Sequence, residues 1–185
     1  MWSPRSRGNG ARRGADGLLL IGHQRDPALY EFLEKQGVPT LIAWVHDEAA
    51  SRPSIGFDNR AAMATLTENV LALGHKHIAM ISANTSVNDR ARARVVGVRQ
   101  SLKAAGLDGD ALPLVETSYG VDEGGAAFAS LMQADTPPTV VICGNDVLAV
   151  GAMVRARKMG LNVPDDVSIT GFDDLEIASI TSPPL

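Results

Sequence analysis

The chain has 185 residues, of which 45% are hydrophobic and 4% aromatic, with 17 basic against 21 acidic side chains and a formal net charge of −4. That is enough for one domain or two small lobes around an aliphatic α/β core, and no apolar run nears the ~20 residues of a membrane span. The single cysteine, Cys143, excludes an internal disulfide and suggests no metal cluster, which fits a reduced, cytoplasmic setting.

Residues 1–14 hold four arginines and no acid, so the remainder carries 13 basic against 21 acidic residues, a net of −8. An acidic body does not bind nucleic acid by itself, because phosphate neutralisation needs a basic face. The leader at 1–13, Gly/Arg/Ser-rich and aperiodic, reads as disordered, and no signal peptide is visible in it. Gly17–Gly22 is read as a buried strand. Asp26-Pro27 opens a helix that runs to Gln36 with Leu29, Phe32 and Leu33 inward and Gly37 as its stop. Val38–Val45 is the next strand, His46–Pro53 a polar loop and Ser54–Phe57 a short extended piece ending at Asp58-Asn59. A helix with Leu66, Val70 and Leu73 inward then reaches Leu73.

His77–Ser82 is a strand, Asn84–Asn88 a polar loop, and an arginine-rich helix ends before Gly106. Leu112–Glu116 is a strand, Thr117–Val121 a loop and Asp122–Gln133 a helix. The segment 139–174 is the clearest. Thr139–Cys143 is an apolar, β-branched run suited to a strand buried on both faces. Gly144-Asn145-Asp146 breaks it, with Asp146 at the expected helix N-cap. The helix that follows places Leu148, Gly151, Val154 and Met159 near one face, with Arg155, Arg157 and Lys158 in its last turns. Gly160 and Pro164 end it, and Val167–Phe172 is a second buried strand. Strand–helix–strand of this length predicts a βαβ crossover with adjacent parallel strands. Alternation along the whole chain predicts an α/β fold with mainly parallel sheets.

Four stretches in this order carry a resemblance: FDN at 57–59, LGHKHIAMIS at 73–82, RARVVGVRQSLKAAG at 92–106, and GNDVLAVGA with GLNVPDDVSITGFDD and PPL over 144–185. Together they resemble the effector-binding region of LacI/GalR-type transcriptional regulators, over about residues 14–185. The resemblance implies a periplasmic-binding-protein-like type I architecture, two α/β lobes joined by crossing segments with a small ligand in the cleft. By that comparison 59–165 is a complete C-terminal lobe, and 14–57 together with 166–185 is part of the N-terminal lobe. The crossings fall near Asp58 and near Pro164–Phe172. The family's helix-turn-helix, its hinge helix and the first half of its N-terminal lobe have no counterpart here. The expectation is therefore a fragment or truncated product, with DNA binding a property of the parent protein and a homodimer as the assembly.

Loops leaving the carboxyl ends of three strands, after Ser82, Glu116 and Cys143, should face one crevice. The first brings Asn88, Arg90 and Arg94. Arg90 and Arg94 share a helical face and suit hydroxyls or a carboxylate, or else belong to a solvated basic face with Arg92 and Arg99. The resemblance places a ligand-binding arginine at Arg94, an aromatic platform at Tyr119 and a ligand-binding aspartate at Asp146; Asn88 and Arg90 match positions that vary with ligand. On the residues alone Tyr119 is equally an ordinary loop tyrosine, and Asp146 a helix cap. Trp44 either closes over the ligand from the opposite lobe or packs in a core. Asp58 and Asp173 read as turn and hinge acceptors at the crossings.

An acid, a guanidinium and an aromatic face suit a neutral polyol, so a sugar is the first expectation and a nucleobase or nucleoside the second. No cofactor, metal site or membrane partner is suggested. His46-Asp47-Glu48 lacks a spaced partner, and no nucleophile–base pair or phosphate loop marks an enzyme. The competing binding-protein reading is a periplasmic sugar carrier for transport or chemotaxis.

Overall fold

Strand and helix alternate through the computed structural model, which describes residues 16–46 and 51–185. The leader at 1–13, Asp47 and Glu48 lie outside those residues. In chain order come β1 (Leu18–Ile21), α1 (Pro27–Lys35), β2 (Thr40–Ala43), β3 (Ser54–Ile55), α2 (Asn59–Ala72), β4 (Ile78–Ala83) and α3 (Asp89–Ala104). They are followed by β5 (Leu114–Thr117), α4 (Val121–Leu131), β6 (Val140–Cys143), α5 (Asp146–Lys158), β7 (Ser168–Thr170) and α6 (Glu176–Ser179). The strands form two sheets, β1-β2-β3 and β5-β4-β6-β7, and every recorded pairing is parallel. This is the α/β architecture that the alternating pattern predicts.

The second sheet is covered on both faces, and period-2 alternation sorts its residues. Ala79, Ile81, Val141 and Cys143 join Phe128 and Leu131 of α4 with Leu148, Ala149 and Ala152 of α5. Ile78, Met80, Val140 and Ile142 join Met63 and Val70 of α2 with Val95, Val98 and Leu102 of α3. All four residues of β6 are buried, and each such aliphatic side chain stabilises the fold by about 1.5–3 kcal/mol. Helices α4 and α5 meet without intervening side chains at Gly151, where an added Cβ would overlap the Val121 carbonyl oxygen. At the far end of α5, Gly160 at φ 75° gives the left-handed turn that stops the helix.

Three local expectations are corrected. The first sheet is not buried throughout: the residues of β1 alternate, leaving Leu19 64% exposed. The buried stripe of α2 runs through Met63, Thr67 and Val70, so Leu73, past the last residue of the helix, is 80% exposed. On α5 the core side is Leu148, Ala149, Ala152, Met153 and Ala156, because the helix is wedged between the sheet and α4; Val154 and Met159 face outward. Strand β7 pairs with β6, and Val167, Ile169 and Leu185 pack into the α4–α5 side of the second sheet.

Candidate functional site

The two Phe-Asp dipeptides of the chain meet beside the first sheet: Phe57-Asp58 on the segment that joins β3 to α2, and Phe172-Asp173 just past β7. Their rings lie 5.8 Å apart. Trp44, Phe57, Arg94, Phe172, Asp173, Asp174 and Leu175 line a cavity of about 460 Å³ at this place. Trp44, Asp173 and Asp174 have φ of 64°, 99° and 53°, and among the described residues they are the non-glycine residues at positive φ. Such backbone costs energy, most of all for a bulky residue such as tryptophan, and it clusters where function holds it in place.

Arg94 forms the floor. It comes from the second turn of α3 and is 6% exposed. Its Nε donates to Asn59 Oδ1 at 2.9 Å, Nη1 donates to the Gly144 carbonyl, and Nη2 reaches Asp173 Oδ1 at 3.4 Å. The guanidinium carbon stands 4.0 Å over the Phe172 ring. Burial lowers the Arg94 pKa, Asp173 and then Tyr119 push it back up, and Arg90 lowers it. Burial also raises Asp173, against the pull of Arg94 and with a further push from Asp146. Both members of the pair are thus shifted against their charged forms. A well-matched ion pair at 2.7–2.9 Å would favour those forms. For both groups desolvation outweighs the 3.4 Å contact at the cavity wall.

The structure places Asp146 differently from a cap. Asn145 is the N-cap of α5, with Oδ1 accepting from the Leu148 N–H at 3.0 Å. Both residue types cap well, and the chain enters the helix one residue earlier than the Gly-Asn-Asp spacing predicts. Asp146, 2% exposed, is thereby free to reach sideways: Oδ2 accepts the Leu175 N–H at 2.6 Å, while its own N–H donates to the Phe172 carbonyl. It lies behind the cavity wall and holds the 172–175 turn.

The other predicted residues divide. Trp44 and Asp173 line the cavity with Arg94. Tyr119 stands half-exposed at the rim and takes a long bond, 3.5 Å, from Asn88 Nδ2. Asn88 is mainly the cap of α3, accepting from the N–H groups of Arg90 and Ala91, and Asp58 likewise caps α2. Arg90 is not brought to this cavity; with Asp58, His23, His46, Arg60 and Asp89 it borders a second space of about 480 Å³. Sequence reasoning missed Asn59, which donates to the Trp44 carbonyl at 3.0 Å while accepting from Arg94, and missed Phe57, Phe172, Asp174 and Leu175. The repeated Phe-Asp dipeptide is the signal that could have found the phenylalanines. Among the described residues no group of three or more His, Cys, Asp or Glu side chains could hold a metal ion.

Comparison with known proteins decides the family. The family model described as periplasmic binding protein-like domain matches residues 67–185. The chain belongs to that family. Within it the chain groups with the LacI-type transcriptional regulators: it is 34% identical over 181 residues to the HTH-type transcriptional regulator MalR of Streptomyces coelicolor, covering 94% of this chain and 52% of that protein. Against the HTH-type transcriptional repressor CytR of Escherichia coli it is 31% identical over 173 residues, covering 92% of this chain and 50% of the repressor. A crystal structure of a putative LacI regulator from Bacillus cereus superposes with a TM-score of 0.83 at 28% identity, over 92% of this chain and 60% of that one. The chain therefore spans about half the length of the curated relatives it matches. Among its described residues no helix is long and apolar enough to cross a membrane.

Proposed function

We propose that this chain is the effector-sensing part of a LacI-type transcriptional regulator, in which a small polar molecule bound between the two sheets controls DNA binding by the parent protein. The observation that carries the reading is the Arg94–Asp173 pair, Arg94 buried and Asp173 partly exposed, 3.4 Å apart at the floor of a cavity walled by Trp44, Phe57 and Phe172. A ligand hydroxyl or ring nitrogen between these groups completes their hydrogen bonds, and the aromatic walls take the apolar faces of a ring. Sugars come first and nucleobases or nucleosides second, and the aromatic walls suit the ring faces of either class. Tyr119 joins them when the rim closes, and Asp146 acts through the turn it holds. In this reading the first unit divides from the second at the 56–59 segment, which serves as a hinge with the 171–175 turn packed beside it. Differential affinity for closed and open arrangements then transmits the ligand's presence, and two copies pair in the parent regulator. Binding without turnover is the role assigned.

Thermal-shift and calorimetric screening of monosaccharides, nucleosides and purine bases against the 185-residue chain tests this. A hit is expected to raise the melting temperature of the wild type and lose most of its effect in Trp44→Ala. No response to either class at millimolar concentration, or an equal response in the variant, refutes the site.

A further inference from the structure

Asp89 lies outside the cavity, in the first turn of α3, yet its carboxylate is spent on the other sheet's loop. Oδ2 accepts the backbone N–H of His23 at 2.5 Å and that of Gln24 at 3.2 Å, from residues 66 and 65 positions away. Oδ1 accepts from the Arg90 backbone N–H at 3.0 Å and from Arg90 Nη1 at 3.3 Å. Gln24 bonds back twice: Nε2 donates to the Ser86 carbonyl, and Oε1 accepts from Arg92 Nη1 at 3.0 Å, which also bonds the Thr85 carbonyl at 2.7 Å. Gly22, at φ 74°, presses against this group; an added Cβ there would overlap Arg90 Nη1 and come within 2.5 Å of Asp89 Oδ1.

These bonds stand where little else joins the two sheets. Helix packing is extensive around the second sheet, α2 on α3 and α4 on α5 above all, and slight between the two sheets. The covalent link lies at 56–59, between β3 and α2, and the space of about 480 Å³ between Asp58 and Asp89 separates it from the Asp89 group. An attachment set apart from a hinge by a gap acts with leverage on the angle between the two sheets.

We propose that the loop Gly22–Arg25 and the first turn of α3 form a clasp that holds the two sheets in the arrangement that shapes the cavity, with Asp89 as its positioning residue. The clasp works on the resting protein and does not depend on which ligand the cavity takes. A charge-assisted acceptor shared by two backbone donors changes a two-state ratio by about 10- to 100-fold. Removing it should therefore turn one arrangement into a mixture.

The test is a distance distribution from paired spin labels at Lys35→Cys in α1 and Lys158→Cys in α5, in the full chain, where buried Cys143 stays unlabelled. The expected result is one narrow distance in the parent, a shifted or bimodal distribution in Asp89→Ala and in Gly22→Ala, and recovery of the narrow distance in Asp89→Asn, whose amide oxygen still accepts the two N–H bonds. Gly22→Ala reaches the same end by wedging, so the proposal stays testable should Asp89→Ala fail to fold. Distributions in Asp89→Ala or Gly22→Ala that superimpose on the parent overturn it, as does an Asp89→Asn distribution as broad as that of Asp89→Ala.

Discussion

Replacing Arg94 with alanine withdraws a donor from three acceptors at once: Asn59 Oδ1, the Gly144 carbonyl and Asp173 Oδ1. A buried acceptor left without a partner costs about 1–3 kcal/mol. Asp173 borders the cavity, so water replaces part of its loss; Asn59 is buried and cannot be rescued in the same way. The guanidinium's seat over Phe172 adds about 0.5–2 kcal/mol. Against these stands the relief of a charge that burial disfavours, which the lowered Arg94 pKa records. The net loss is about 2–4 kcal/mol, and at about 2–4 °C per kcal/mol for a chain of this size the melting temperature should fall by about 4–16 °C. Arg94→Lys keeps the charge but cannot span the three acceptors, and it should lose roughly half as much. Circular-dichroism melts, with urea titrations to check that the m-value is unchanged, measure both. An alanine variant melting within about 1 °C of the wild type would refute the account of Arg94 as a buried hub.

Asp146→Asn keeps an acceptor for the Leu175 N–H but loses the charge that strengthens it. It should cost about 1–2 kcal/mol and speed hydrogen exchange at Leu175, read by amide exchange, while unchanged protection there would count against the 172–175 turn being held this way. Gly151→Ala drives a methyl into the Val121 carbonyl, so α4 must move off α5; a loss of about 1–3 kcal/mol in urea unfolding is expected, and a neutral result would contradict the close helix contact. For Asp173 the sign follows from burial, which raises its carboxyl above the ordinary 3.8. The native chain binds more protons than the unfolded one between that value and the raised one, so its share of stability falls as pH rises through that window and is fullest below it. Asp173→Asn should flatten this part of the profile, and urea midpoints that run parallel for the two chains between about pH 4 and 7 would exclude it.

How much of this was legible in the sequence depends on the range of the interaction that decides it. β6 was readable because a strand buried on both faces must be apolar at every position, and Val140–Cys143 is. The cap Asp26 was readable because capping is a matter of two or three residues. Where two good caps stood side by side at Asn145-Asp146, local chemistry could not choose between them. The choice was made by the Leu175 N–H, 29 positions away, which takes the Asp146 carboxylate. Exposure on the first sheet was illegible for the same reason: Leu19 looks like any core leucine, and only the absence of a helix over that face among the described residues leaves it bare.

The positive-φ residues extend that argument to the site itself. Nothing local asks Trp44 to adopt φ 64°, and its own preference opposes it. The conformation persists because Asn59 Nδ2 takes the Trp44 carbonyl, while the strained Asp173-Asp174 turn is held from behind by Asp146 through Leu175 and from below by Arg94. Asn59, Arg94 and Asp146 are all buried polar groups whose hydrogen bonds converge on the rim of one cavity. Each would be costly to bury without those bonds. The energy that holds three residues in unfavourable backbone shapes therefore comes from polar groups that a hydrophobic core could have done without. A fold under no demand beyond stability has little reason to retain strained backbone and buried charge in one place. Their coincidence at the junction of the two sheets is the physical ground for seating the ligand there.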